Sequence, residues 1–321
     1  MSGTPFDLAR LRAGDSRTIG QTLTRVENDP DGAESILEAL IPLGARVPRI
    51  GITGPPGAGK SSLVAQLVRL DAQEGLGAGV LAVDPSSEQT GGAVLGDRVR
   101  MRGDEAPDRI FFRSVATRGC RGGLARTCAD LLRVLAAAGK DRLYLETVGI
   151  GQTELEIADL ADTVVLVLVP ESGAFIQTLK AGVLEVADIL VVNKSDREGA
   201  DALAEELRAM QHLAARTPGA WEPLVLLCSA RSGDGVPGVR DAIGHHLAHL
   251  ASSGEGERRR RRQASRELRR RLRARVETWM EGSPAVRAAL DRETAEIATG
   301  VRSPMKAAQR LWLSLRETPW T

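Results

Sequence analysis

The feature that most constrains this chain is a glycine-rich segment, GPPGAGKSS at 54–62, that follows a short apolar run. It fits the pattern G-x-x-x-x-G-K-[ST] in the expected setting of strand, loop and helix. Glycines let successive backbone N–H groups point at phosphate oxygens, and the following helix adds its positive N-terminal end. We expect Lys60 to reach the β- and γ-phosphates and the Ser61 hydroxyl to ligate Mg²⁺. The predicted nucleotide contacts in this loop are Gly54, Pro55, Gly57, Ala58, Gly59, Lys60, Ser61 and Ser62.

Short apolar runs alternate with helix-like segments from this loop to about residue 251. Continuous runs such as TVVLVLV at 163–169 suit parallel strands that are covered on both faces. The alternation predicts an α/β fold with a doubly wound, mostly parallel sheet, whose ligands bind beyond the carboxyl ends of the strands. Seven strands are predicted, at 50–53, 80–84, 110–113, 143–146, 164–169, 189–193 and 224–228.

Three regions are predicted: a helical extension at 1–47, the sheet domain at 48–251 and a helical segment at 252–321. The last region holds eleven arginines between 257 and 275, while Leu268, Leu272, Val276 and Trp279 recur at helical spacing. This amphipathic helix has two interpretations, an arm that packs against a partner or a tail that binds nucleic acid. The absence of interleaved aromatic residues for base stacking favours the arm and argues against nucleic acid.

Composition narrows the class further. The chain has 321 residues, 42% of them hydrophobic, with a net charge of +1, so it can build a large core and has no overall basic character. Cys120, Cys128 and Cys228 form no C-x-x-C pair and are typical of reduced thiols in a cytoplasmic protein. No apolar run of membrane-spanning length occurs, so no membrane association is expected. His245 and His249 could form a metal pair, but no third ligand is evident, which favours an ordinary helix face.

A second motif, Asn193-Lys-Ser-Asp196, follows a predicted strand and fits N-K-x-D. The Asp196 carboxylate can accept from the ring N–H and the exocyclic amino group of guanine, whereas adenine offers no such pair of donors. We expect Asn193 to tie this loop to the phosphate loop and the Lys194 stem to cover the base. After the next strand, the sequence at 229–231 resembles the loop whose backbone N–H binds the guanine carbonyl. These motifs favour GTP over ATP, with the base contacts Asn193, Lys194, Asp196, Ser229, Ala230 and Arg231.

The segments between these motifs carry a family resemblance, which covers about residues 45–245. They include TGGAVLGDRVRM at 90–101, ATRG at 116–119 and ETVGIGQTE at 146–154. The chain resembles the methylmalonyl-CoA mutase-associated GTPases, chaperones of cobalamin-dependent acyl-CoA mutases that were once labelled arginine/ornithine transport kinases. The resemblance implies a P-loop GTPase that binds GTP and GDP and forms a homodimer through its C-terminal arm. Its partner would be an adenosylcobalamin-dependent acyl-CoA mutase, whose cofactor loading and release it would gate and which it would protect.

The same resemblance implies further site residues. Mg²⁺ would be surrounded by Ser61, Asp84, Asp97 and Glu146, and hydrolysis would use Lys60, with Gln152 and Lys180 as candidates to orient the attacking water. A coupling loop to the mutase would lie at 170–180, where PESGAFIQTLK stands in place of the usual P-G-S-G-D-x-x-Q-x-x-K. Ala174 removes the acidic group of that loop, which leaves the identity of the partner mutase open.

Two other functions are weighed against this one. A small-molecule kinase would need an acceptor pocket, for which the sequence carries no motif. A GTPase that delivers a metal would need closely spaced cysteine and histidine ligands, and neither Cys120 nor Cys128 has that spacing.

Overall fold

The computed structural model describes residues 6–29, 32–43, 46–84, 109–116, 123–147, 156–172, 183–213 and 219–315. The chain forms two compact units, Met1–Gln263 and Ala264–Thr321, each of which is described by itself. Asp97, Gln152, Lys180 and the coupling loop from residue 173 onward lie outside the described residues, as do the segments at 90–101 and 117–119.

The first unit is built on a seven-stranded sheet in the order β3-β2-β4-β1-β5-β6-β7, with every neighbouring pair parallel. The predicted α/β fold with a doubly wound sheet is therefore confirmed, and each predicted strand is present within a few residues at its ends. The strands are β1 (Arg49–Thr53), β2 (Ala78–Asp84), β3 (Ile110–Ala116), β4 (Arg142–Glu146), β5 (Thr163–Leu168), β6 (Ile189–Asn193) and β7 (Leu224–Cys228).

Helices cover both faces of this sheet. The first unit contains α1 (Leu8–Arg12), α2 (Ser16–Asn28), α3 (Glu34–Leu40), α4 (Lys60–Gln73), α5 (Gly123–Ala137), α6 (Val183–Val186), α7 (Ala200–Leu213) and α8 (Val236–Ser252). Helix α9 (Glu255–Gly282) begins in the first unit, and α10 (Pro284–Ala298) and α11 (Pro304–Leu315) belong to the second. Within the part of the chain that the structure describes, short 3₁₀ turns lie at Ile41–Leu43, Ile157–Asp159 and Pro170–Ser172.

All six residues of strand β5 are buried, which accounts for its nearly continuous apolar sequence. Val164, Leu166 and Leu168 pack on the side of α5 and α7, whereas Val165 and Val167 pack on the side of α4 and α8. Because helices cover both faces of this central strand, its residues are apolar except Thr163, whose hydroxyl bonds to His246 Nδ1 at 2.8 Å. Helices α1–α3 share the α5 side, where Leu11, Ile19 and Leu23 join the same apolar cluster.

The start of α9, within the first unit, is bonded to the residue before β6, at the amino-terminal ends of the strands. The Arg259 guanidinium donates to both carboxylate oxygens of Asp188, each at 2.7 Å. Asp188 also accepts from the Val164 N–H at 2.8 Å, and its Oδ1 lies 3.3 Å from Nε2 of the fully buried His246. Since Asp188 is itself buried, these partners offset the cost of removing its charge from water.

The second unit consists of the rest of α9 followed by α10 and α11. Helix α9 ends at Gly282 and α10 begins at Pro284, while α11 begins at a second proline, Pro304. Val286 and Ala307 are buried, and Arg302 pairs with Glu296 at 2.7 Å. Large apolar side chains remain exposed on α9 and α11, namely Leu268, Leu272, Met305, Trp312 and Leu313.

Within the described ranges, no helix combines the length and the apolar character that crossing a bilayer requires.

Candidate nucleotide-binding site

The phosphate loop runs from the end of β1, in the middle of the sheet, to the first residue of α4. Gly54 has φ 141°, and a Cβ atom there would lie 2.0 Å from the backbone oxygen of Val167 on β5. Gly59, which precedes α4, has φ 87°, and a Cβ atom there would lie 2.3 Å from Asn193 Nδ2. These two positions accept only glycine, because both the backbone angle and the close approach exclude a side chain.

The Lys60 side chain is folded over this loop. Its Nζ donates to the carbonyl oxygens of Gly54 and Pro55, each at 3.0 Å, and the residue is 6% exposed. Backbone N–H groups at the start of a helix and a nearby ammonium together form an anion-binding site. Phosphate oxygens can therefore replace the two loop carbonyls as acceptors of the Lys60 ammonium.

A hydroxyl and a carboxylate meet beside the loop at the carboxyl end of β4. Ser61 Oγ donates to Glu146 Oε1 at 2.6 Å, and Glu146, the last residue of β4, is buried. Asp84 ends β2, two residues beyond Ala82, which is paired with Glu146. A hydroxyl beside a carboxylate suits Mg²⁺, which prefers oxygen ligands.

A buried pair of hydroxyls lies at the same edge and was not anticipated from the sequence. Thr147 Oγ1 donates to Thr53 Oγ1 at 2.9 Å, and the Thr147 N–H donates to the carbonyl of Ile52 at 3.1 Å. These bonds hold the residue after β4 against the end of β1, and thus keep Glu146 next to the phosphate loop.

Asn193 connects the phosphate loop with the base-recognition loops. Its Nδ2 donates to the Ala58 carbonyl at 2.7 Å, and its Oδ1 accepts from the Ala230 N–H at 2.9 Å. The side chain is buried at the end of β6. Three segments far apart in the sequence therefore meet at one amide.

The loop after Asn193 turns sharply into solvent. Lys194 has φ 60°, a left-handed conformation that is uncommon outside glycine and occurs at functional sites. The Ser195 N–H donates to the Cys228 carbonyl at 3.0 Å, and the Arg197 N–H to the Lys194 carbonyl at 2.9 Å. Asp196 is left exposed, as a carboxylate that contacts a ligand in this loop has to be.

The base-recognition turn at 229–231 follows β7 and leads into α8. The Ser229 N–H donates to the Asp234 carbonyl, and the Gly233 N–H to the Ser229 carbonyl, each at 2.8 Å. Ser229 and Ala230 are buried, whereas the Arg231 side chain is exposed. Gln66, which sequence reasoning missed, donates from Nε2 to the Ala230 carbonyl at 3.3 Å. No local pattern marks this residue, because its partner lies 164 positions away in the chain.

The two histidines weighed as a metal pair have different surroundings. His249 lies against Trp221, with ring centroids 5.5 Å apart, while His245 is exposed. Among the residues that the structure describes, no group of three or more histidine, cysteine or acidic side chains could hold a metal ion. Cys128 is fully buried, which raises the pKa of its thiol to about 12, and Cys120 lies outside the described residues.

Comparisons with known proteins point to one family. The family model for the methylmalonyl Co-A mutase-associated GTPase MeaB matches residues 19–285. The GTPase ArgK of Escherichia coli is 35% identical over 269 residues, which cover 82% of this chain and 81% of that protein. The mitochondrial methylmalonic aciduria type A homolog of mouse is 33% identical over 266 residues, 82% of this chain and 64% of that protein. A crystal structure of an LAO/AO transport system kinase superposes with a TM-score of 0.75 at 27% identity and covers 96% of both chains.

Proposed function

This chain belongs to the methylmalonyl-CoA mutase-associated GTPases, and from that premise we propose that it is a Mg²⁺-dependent chaperone of an adenosylcobalamin-dependent acyl-CoA mutase. As a GTPase of this family, it binds guanine nucleotide and hydrolyses GTP. The output of hydrolysis would be conformational: it would gate the loading and release of the mutase cofactor and protect the mutase. The observation that carries the nucleotide part is Asn193, whose amide joins the phosphate loop to both base-recognition loops.

Guanine would be selected by groups on two loops. The exposed Asp196 carboxylate accepts from the ring N–H and the exocyclic amino group, and the Lys194 stem covers the base. The Ala230 N–H already donates to Asn193 Oδ1 at 2.9 Å. The guanine carbonyl would therefore accept from the Arg231 N–H, the next donor in the turn. Adenine would leave the Asp196 carboxylate without its two donors, which is why the site favours GTP.

The phosphates would lie over α4. Backbone N–H groups at the start of α4 would bind the β-phosphate, and the Lys60 ammonium would exchange its bonds to Gly54 and Pro55 for bonds to the β- and γ-phosphate oxygens. Because Lys60 is almost fully buried, its charge acts at low local dielectric on the charge that develops in the transition state.

The donor set beside the loop fits Mg²⁺. Ser61 Oγ and Glu146 Oε1 are already 2.6 Å apart, and Asp84 ends the neighbouring strand β2. In binding the ion, Ser61 would turn its hydroxyl from Glu146 toward the metal, and the resemblance adds Asp97 to the set. Bound Mg²⁺ would neutralise part of the phosphate charge. Gln152 and Lys180 remain the candidates to orient the attacking water, and we expect slow turnover until the mutase completes the site.

Coupling to the mutase would pass through the loop that begins at the 3₁₀ turn Pro170–Ser172. Glu171 stands in place of the usual glycine of the family's loop. Its carboxylate pairs at 2.5 Å with Arg197, the residue that follows Asp196. The beginning of the coupling loop is thereby tied to the base-recognition loop. This pair and Ala174 distinguish the chain within the resemblance and would adapt it to its own mutase.

The second unit would serve as the dimerisation arm. Leu268 and Leu272 are 69% and 58% exposed on α9, one turn apart, and Met305 and Trp312 are exposed on α11. Large apolar side chains at this exposure are typical of surfaces that a partner covers. A second copy of the same arm would bury them in a homodimer.

The partner assignment is tested by co-elution. The purified protein is loaded with GDP, with GTP or with a non-hydrolysable GTP analogue and passed with an adenosylcobalamin-dependent acyl-CoA mutase over a sizing column. We expect a complex whose amount depends on the nucleotide, and none with Lys60→Ala. If the protein and the mutase elute separately in all three nucleotide states, the chaperone role is refuted. Phosphorylated arginine formed from GTP would instead support a small-molecule kinase.

A further inference from the structure

Helix α4 begins at the phosphate loop and also contacts the base-recognition turn. Gln66 lies on this helix after Lys60 and Ser61, and its Nε2 donates to the Ala230 carbonyl at 3.3 Å. On the other side of the same residue, the Ala230 N–H is donated to Asn193 Oδ1 at 2.9 Å. Both polar backbone groups of Ala230, which is 4% exposed, are therefore held by side chains from two different elements.

The geometry of the peptide bond extends this contact to the base. The Ala230 carbonyl and the Arg231 N–H belong to one planar trans peptide, so they point in opposite directions. A donor that fixes the carbonyl oxygen also fixes the direction of the N–H. Since the Ala230 N–H is already donated to Asn193, the Arg231 N–H is the donor that the turn offers next.

We propose that Gln66 is a positioning residue for guanine selection: it holds the Ala230–Arg231 peptide so that the Arg231 N–H meets the guanine carbonyl. The inference rests on the proposed guanine site and names one device by which that site discriminates. Gln66 itself touches neither base nor phosphate in this account and acts only through the peptide that it orients.

A separate set of contacts keeps α4 and α8 together. Arg240 on α8 pairs with Asp71 on α4 at 2.9 Å and also with Glu74. Arg142 and Tyr144 of β4 each contact the same buried Asp71 carboxylate at 2.6 Å. Because these bonds fix the spacing of the two helices, loss of the Gln66 amide releases the peptide at 230–231 without separating the helices.

The test compares three nucleotides in the full-length protein. Dissociation constants for GTP, ITP and ATP are measured by competition against a fluorescent GDP. Inosine keeps the base carbonyl but lacks the exocyclic amino group, whereas adenine carries an amino group where guanine has the carbonyl. In Gln66→Ala, we expect GTP and ITP to weaken together by about three- to tenfold, the worth of one hydrogen bond, with ATP unchanged. The GTP-to-ATP preference therefore falls while the GTP-to-ITP ratio stays constant.

Two further variants sharpen the test. Gln66→Glu keeps the size of the side chain but faces the Ala230 carbonyl with an acceptor, so it should weaken GTP and ITP at least as much as alanine does. Gln73→Ala, at the exposed last position of α4, is the matched control and should change none of the three constants. Thermal melting of each variant reports whether the fold is kept.

The outcomes separate the inference from the function beneath it. Equal weakening of GTP, ITP and ATP in Gln66→Ala would place the effect at the phosphates and overturn the positioning role, as would unchanged affinity for all three. If the unmutated protein binds ATP as tightly as GTP, the guanine site itself fails, whatever the Gln66 variants do.

Discussion

Asn193 Nδ2 donates to the Ala58 carbonyl at 2.7 Å, so the base-recognition motif is bonded directly to the phosphate loop. The same side chain accepts from the Ala230 N–H at 2.9 Å. Because Asn193 is buried, removing its side chain leaves both backbone groups without their protein partner. The geometry of the two halves of the nucleotide site is therefore coupled through one residue.

Asn193→Ala should damage both stability and nucleotide retention. It leaves a buried carbonyl and a buried N–H without their partner, at a cost of about 1–3 kcal/mol for each group. We expect a lower melting temperature and release of fluorescent GDP that is about tenfold faster or more. Gln21→Ala, at an exposed position of α2, is the control. A variant that retains GDP as the unmutated protein does would contradict the bridging role.

Asp196→Asn should change which base is preferred. The asparagine amide has one acceptor in place of two, so it can no longer take both guanine donors, and GTP should weaken by about tenfold or more. Its NH₂ group can instead donate to the extra carbonyl of xanthine, so XTP should gain. Competition binding of GTP and XTP measures both changes. The control Asp201→Asn, in the exposed first turn of α7, should leave the affinities for GTP and XTP unchanged. Unaltered GTP affinity in Asp196→Asn would place the base elsewhere.

Much of this site follows from local sequence, because the spacing of the phosphate loop and of N-K-x-D is set by covalently adjacent residues. The seven strands could also be predicted, since both faces of the central strands are covered and their sequences are mostly apolar. The prediction ended strand β3 at Arg113, where a charged residue interrupts the apolar run, whereas the strand continues to Ala116. The Arg113 guanidinium pairs with Glu27 of α2 at 2.6 Å, which offsets the cost of its partial burial. Contacts such as Gln66 with Ala230 join residues that are remote in sequence, and no periodicity within either segment predicts them.

The buried His246 should make stability depend on pH in the acid range. Burial lowers the pKa of His246 from 6.5 to about 4; Asp188 opposes this shift, and the Arg259 and His249 charges add to it. Its Nδ1 also shares a 2.8 Å hydrogen bond with Thr163 Oγ1. The unfolded chain binds a proton below about pH 6.5, whereas the folded protein does so only near pH 4. The free energy of unfolding is therefore unaffected by this group above pH 6.5 and falls by about 3 kcal/mol as the pH is lowered toward 4.

Urea unfolding between pH 4.5 and 7.5 measures this contribution. His246→Gln should be less stable than the unmutated protein at neutral pH, but its free energy of unfolding should fall less steeply as the pH is lowered. The exposed His245, one residue earlier on α8, provides His245→Gln as the control, which should follow the unmutated curve. Parallel curves for His246→Gln and the unmutated protein would show that His246 does not titrate differently in the two states.

The exposed leucines of α9 should hold two copies together. The double change Leu268→Arg with Leu272→Arg places charge in the apolar surface, and light scattering should show the mass falling from that of a dimer to that of a single chain. Glu277 lies half a helical revolution from Leu268, so Glu277→Arg is a control on the other side of the same helix. A single-chain mass for the unmutated protein at micromolar concentration would refute the dimerisation arm.

The link between the nucleotide site and the mutase is tested most directly by the steady-state rate of GTP hydrolysis as a purified adenosylcobalamin-dependent acyl-CoA mutase is added. We predict a slow rate for the protein alone, a saturable rise with the mutase, and no hydrolysis in Lys60→Ala at any mutase concentration. The Lys60→Ala control excludes phosphate released by any contaminant of the mutase. A rate that stays constant while the mutase is raised to large excess would contradict the account.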